Sequence, residues 1–162
     1  MAVTYEPIAT YTVPSAQANY TFSAISGTYT DLVLIASIQA TSTTDAIYIN
    51  FNGDTTSSNY GFTRLTGIST TPGTTGGALP QIADYCPNAT NFMPIIANIQ
   101  NYSNATTWKS VVARWGNAGD ATGINALVWG NTAAITSITI RPASATNIKT
   151  GSTFTLYGIK AA

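Results

Sequence analysis

Asp31-Leu32-Val33-Leu34-Ile35-Ala36-Ser37-Ile38-Gln39 is the strongest apolar run in the chain, and the architecture turns on it. Side chains along a strand point alternately to opposite faces. Leu32, Leu34, Ala36 and Ile38 therefore share one face, while Val33 and Ile35 stand on the other. Ser152 to Lys160 has the same character, with Phe154 and Leu156 facing one way and Tyr157 and Ile159 the other. A strand apolar on both faces must be covered on both. Two covers are open: a local loop or terminus lying over the outer face, or another subunit.

Further strand signals lie on both sides of this run, punctuated by Gly, Asn, Ser and Pro. Thr4 to Val13 comes first, with Pro7 pointing to a sheet edge. Tyr20 to Ile25 places Tyr20, Phe22 and Ala24 on one face. Ala46 to Asn52 alternates cleanly, Ile47, Ile49 and Phe51 inward, Tyr48, Asn50 and Asn52 outward. Phe92 to Gln100, Trp108 to Trp115, Gly123 to Trp129, Ile135 to Arg141 and Ser152 to Lys160 complete a set of about nine strands of ordinary length. No stretch of 10 or more residues has a helical period. The expectation is an all-β chain: a single-domain antiparallel β-sandwich, jelly-roll-like, over residues 1–162. Residues 66–89, uncharged at first and rich in Gly and Thr, read as a long irregular loop, with an undetected strand pair as the alternative.

Composition supports this class. Of 162 residues 44% are hydrophobic, including 9 Tyr, 5 Phe and 3 Trp, and the polar remainder is mostly Thr, Ser and Asn. Those residues suit pleated surfaces and turns rather than helical faces. Only 7% of the residues are charged, six basic against six acidic, where roughly 25% is usual. Zero net charge removes the repulsion that keeps molecules apart and favours association. Arg64, Lys109, Arg114, Arg141, Lys149 and Lys160 are scattered, so no nucleic-acid footprint is expected. No apolar run approaches the roughly 20 residues of a membrane span. The opening Met1 to Pro7 lacks the basic and apolar regions of a signal peptide. The sequons at Asn19, Asn88, Asn101 and Asn104 are what an Asn- and Thr-rich chain supplies by chance.

The chain has no histidine, so Ser–His–Asp and Cys–His chemistry are closed to it and the commonest zinc ligand is missing. Cys86 is single and has no basic neighbour in sequence to lower its pKa; it reads as inert. A carboxylate pair of the glycoside-hydrolase kind is the remaining route to catalysis. Its candidates, Glu6, Asp31, Asp45, Asp54, Asp84 and Asp120, are isolated in sequence and suit turns and strand ends. No catalytic residue, metal or cofactor is assigned, and no enzyme is expected. Asn50, Asn52 and Asp54 alternate with side-chain oxygens that calcium could use, but Asn52-Gly53-Asp54 is first a turn. Trp108, Trp115 and Trp129 could stack on sugar rings. Trp108 and Trp115 have opposite parity on one strand, so at most one belongs to the core, and an outward Trp suits a subunit interface equally well. Val33, Ile35, Trp115, Tyr157 and Ile159 are the candidate interface residues.

Tyr5-Glu6-Pro7-Ile8-Ala9-Thr10, Gly27-Thr28-Tyr29-Thr30-Asp31-Leu32-Val33-Leu34, Ile49-Asn50-Phe51-Asn52-Gly53-Asp54 with Ser58-Asn59-Tyr60, and the ending from Gly151 to Ala162 resemble small virion proteins of tailed bacteriophages, in the style of aquatic and cyanobacterial phages. The resemblance implies jelly-roll decoration (cement) proteins, head fibres or tail-fibre tips, often trimers. On it, the chain is expected to be made in the host cytoplasm and to reside in the virion. There it would oligomerise, as a homotrimer, and stabilise the shell by binding the major capsid protein. The alternative is a tail-fibre or receptor-binding tip recognising host surface glycan.

Overall fold

A computed structural model of the chain describes residues 4–42, 45–68, 71–87, 91–118, 121–144 and 146–160. Twelve strands occur among them: β1 (Tyr5–Thr12), β2 (Tyr20–Phe22), β3 (Asp31–Ile38), β4 (Asp45–Phe51), β5 (Tyr60–Ile68), β6 (Thr71–Gly77), β7 (Gln81–Cys86), β8 (Met93–Gln100), β9 (Lys109–Asn117), β10 (Ala121–Trp129), β11 (Ile138–Pro142) and β12 (Thr153–Ile159). One 3-10 turn, Ser57–Asn59, precedes β5.

The strands form two antiparallel sheets, β1-β12-β3-β8-β9-β10-β5-β6 and β2-β11-β4-β7. Four pairings are nested: β1 with β12, β2 with β11, β3 with β8, and β4 with β7. That nesting is a long ribbon rolled on itself, alternating between two sheets, which is the jelly roll. Two hairpins interrupt the ribbon, β5–β6 and β9–β10. Both add to the same edge, beyond β8, where β10 pairs with β5. One sheet is thereby doubled to eight strands while its partner keeps four.

Nine strands were expected from the sequence, and all nine exist. The three others, β5 to β7, include two that replace the irregular loop expected at 66–89. β6, Thr71–Gly77, pairs along its length with β5, and β7 returns to β4. The stretch lacks alternation because β6 is exposed at every residue, so no side chain there is selected for burial.

The inner faces meet in a core containing Leu32, Leu34, Ala36 and Ile38 of β3, Ile47, Ile49 and Phe51 of β4, and Phe154 and Leu156 of β12. These are the inward sets the alternation marked. Two local expectations differ. β2 stops at Phe22, and Ala24 lies in the left-handed region at φ 53°. Asn50 is buried rather than outward, because its amide is used on both sides: Nδ2 donates to Asp54 O and Oδ1 accepts from Arg141 Nε.

The two edges of the large sheet differ. β1 carries Pro7, a bulge at Ile8 and the Glu6–Lys160 ion pair at 2.6 Å, all devices that blunt strand pairing. β6 carries Pro72 but has no charged residue and no bulge.

Candidate interaction face

The register of the large sheet lines up its outward side chains in rows. Thr10, Thr155, Ile35, Ile96, Arg114, Ile124, Leu65 and Thr74 stand opposite one another in turn and cross all eight strands. The neighbouring row holds Tyr157, Val33, Asn98, Val112, Ala126 and Thr63. Aliphatic side chains thus occupy the middle of a face that the small sheet does not cover. Ile35 is 42% exposed, Val112 39%, Ile124 45% and Leu65 54%. Two shallow grooves run over it. One of about 540 Å³ is lined by Gly61, Thr63, Ser110, Val112, Ala126 and Val128. The other, about 320 Å³, is lined by Pro94, Ile96, Arg114, Gly116 and Thr122.

β10 shows why this face was hard to foresee. Asn125 points inward and Ile124 outward, the reverse of ordinary alternation. The inward amide is satisfied: Asn125 Oδ1 accepts from Trp115 Nε1 at 2.9 Å, and Nδ2 donates to Gln81 O at 3.1 Å. A strand read by hydropathy alone assigns Ile124 to the core.

Arg114 is exposed near the middle of the face and has no hydrogen bond or ion pair among the described residues. Among the described residues the other charge on the face is Asp31, at one end of β3, which accepts the backbone N–H of Asn101 at 2.8 Å. The remaining described carboxylates are likewise committed. Glu6 pairs with Lys160, and Asp84 with Arg64. Asp45 accepts from Ser144 and from Thr146 Oγ1. Asp54 accepts from Trp129 Nε1, Asn59 Nδ2 and Thr56 N. Each of these five acids has its own partner among the described residues. Asp120 lies outside the described residues.

The candidate interface residues separate into three groups. Ile35 is exposed on the outer face. Val33, Tyr157 and Ile159 lie on the same face but are wholly or half covered, Val33 down to 6% exposure, with Tyr5 set edge-on to Tyr157 at 6.5 Å. Local structure thus supplies part of their cover. Trp115 belongs to neither group. It shares the inward parity of Val111 and Ala113, is 4% exposed, and stacks against Tyr85 at 6.2 Å. It is a core residue, not a surface contact.

Of the three tryptophans proposed for sugar stacking, Trp129 is also buried, packed against Phe51 and Tyr60. Trp108 alone is open to solvent, at 62%. It has the outward parity of Ser110 and Val112 and its ring lies beside Gly130; Ser110, two residues on, lines the larger groove.

Asn50, Asn52 and Asp54 do not aim at a common point. Asn52 Oδ1 accepts the N–H groups of Thr136 and Ser137, which ties the β4 turn to the entry of β11, while Asp54 turns toward Trp129. Burial tends to raise the Asp54 pKa, but the donors of Trp129, Asn59 and Thr56 outweigh it and hold the carboxyl below its ordinary value. Cys86 is buried, and burial pushes its thiol up to about 12. Lys109, also buried, gives its ammonium to the carbonyls of Thr107 and Thr132 at 2.7 and 3.0 Å, and burial lowers its pKa.

Compared with known protein families, with curated proteins and with solved structures, the chain finds no match in any of the three.

Proposed function

We propose that the chain is a structural component of a tailed-phage particle, a capsid decoration protein that assembles with copies of itself and binds the outside of the finished shell. The observation that carries this reading is the uncovered apolar centre of the eight-stranded face. Isolated exposed aliphatics are ordinary, but a contiguous patch marks a surface that meets another macromolecule. Attachment then stabilises the shell by linkage, because a protein that binds only the assembled state adds stability as the logarithm of its concentration over its dissociation constant. The near absence of charge fits such a role, since few ionic groups need be desolvated. The exposed, uncharged β6 edge supports self-association, because beyond Pro72 its outer backbone groups have no neighbouring strand in the sheet. The protein's location on the particle tests this: hundreds of copies on the capsid surface by cryo-EM are expected. A few copies confined to the tail, or none on the particle, would overturn it. Light scattering on the purified protein should give a stable oligomer, with a trimer as the expected state.

A second reading, a fibre tip that binds host glycan, is favoured by one observation, the exposed Trp108 two residues before Ser110, which with Thr63 edges a groove. Sugar faces stack on such a ring while hydroxyls bond to the polar edge. Glycan-array binding that disappears in Trp108→Ala would support this reading over the first.

A further inference from the structure

We infer that the outer face of the eight-stranded sheet receives a different protein, one presenting an apolar patch with an Asp or Glu carboxylate set opposite Arg114. This rests on the decoration reading and names the chemistry of the shell subunit it would meet.

Two observations carry it. The first is size. Eight strands spaced about 4.8 Å apart, and about eight residues long at 3.3 Å each, present about 1,000 Å². A standard stable interface uses about 800 Å² per partner. The face is therefore large enough for a whole interface.

The second is charge. Arg114 projects from the centre of the apolar row, between Ile96 and Ile124, with no ion pair or hydrogen bond among the described residues. Covering it with an apolar surface would bury an unpaired guanidinium, which costs several kcal/mol. The occupant must supply an acceptor, and a carboxylate matches the planar fork of guanidinium donors best. A second copy of this chain is poorly equipped to do so. Its described carboxylates are held by Lys160, Arg64, Asn101 N, the Ser144–Thr146 segment and the Trp129–Asn59 pair. Two copies related by a twofold axis near the middle of the face would also bring the two Arg114 guanidinium groups together. Self-association is thus left to other surfaces, such as the β6 edge.

The test mixes the purified protein with shells of its particle lacking it, and measures bound copies by co-sedimentation at low and high salt. Wild type, Arg114→Glu, Arg114→Leu and Ile124→Glu are compared, with light scattering on each protein alone. All three substitutions are at exposed positions, and thermal melts check that the variants fold. The expected result is attachment at least about thirtyfold weaker for Arg114→Glu and for Ile124→Glu, with the oligomeric state unchanged. Arg114→Leu should bind more weakly than wild type at low salt and lose the salt dependence. Undiminished attachment of Arg114→Glu would overturn this inference and leave the decoration reading standing. A change of oligomeric state in Arg114→Glu would put a second copy on the face, and also overturn it. Failure of the wild-type protein to bind shells at all would overturn both.

Discussion

Gly123 lies directly opposite Trp115 in the β9–β10 register, and the indole occupies the space that a side chain at residue 123 would need. A Cβ there would sit 2.5 Å from Trp115 Cζ2 and 3.0 Å from the carbonyl oxygen of Leu65. The glycine is required for packing rather than for a turn, and it lets the ring lie flat over β10 while its Nε1 reaches Asn125.

Gly123→Ala should therefore destabilise the protein by about 1–3 kcal/mol, the usual cost of overpacking. Gly73→Ala, where a Cβ meets nothing within 4 Å, is the matched control and should change stability by less than about 0.5 kcal/mol. Trp115→Ala should cost about 3–5 kcal/mol as a core deletion. Urea unfolding of the three variants checks all three values.

Asp54→Asn should destabilise the protein by about 1–2 kcal/mol at pH 7, because the carboxylate accepts from Trp129, Asn59 and Thr56. The sign with pH follows from the lowered folded pKa. The contribution is fully present above the unfolded value, about pH 4, and is lost as pH falls through the lower folded value. The stability difference between wild type and Asp54→Asn should thus be constant from pH 7 down to about 5 and shrink in stronger acid. Paired denaturation curves from pH 7 to pH 2 measure it.

Cys86 should be silent to thiol reagents in the folded protein. It is fully buried and its pKa stands near 12, so at pH 8 the thiolate is scarce and inaccessible. Labelling with iodoacetamide should be negligible in buffer and complete in denaturing urea. Fast labelling of the native protein would mean that β7 opens locally.

Trp108→Ala should leave thermal stability nearly unchanged, since the ring is 62% exposed. Its fluorescence is also separable from that of the two buried tryptophans. Acrylamide should quench one bright component in wild type and lose that component in the variant.

Much of the architecture was legible in the sequence because strand alternation is a local property. The inward sets of β3, β4 and β12 could be named from parity, as could the opposite fates of Trp108 and Trp115, though not which of the two went inside. Tertiary pairing settled that: Trp115 is inward because Gly123 makes room for it and Asn125 receives its N–H. Asn50 was misleading for the same reason, since a buried amide is tolerable only when distant residues supply its partners, here Arg141; Asn125, held by Gln81, is buried on the same terms.

By itself the sequence determined a charge-poor, histidine-free β-sandwich with apolar residues on both sides of some strands. Only the tertiary structure decided that two hairpins would join one edge and double a sheet, bringing Ile35, Arg114, Ile124 and Leu65 into a single row. Hydrophobic periodicity records which side of a strand is apolar, but carries no information about which strand lies beside it. Cross-strand order is set by long-range pairing, and it is that order which turns scattered outward aliphatics into a face with one unpaired cation near its centre.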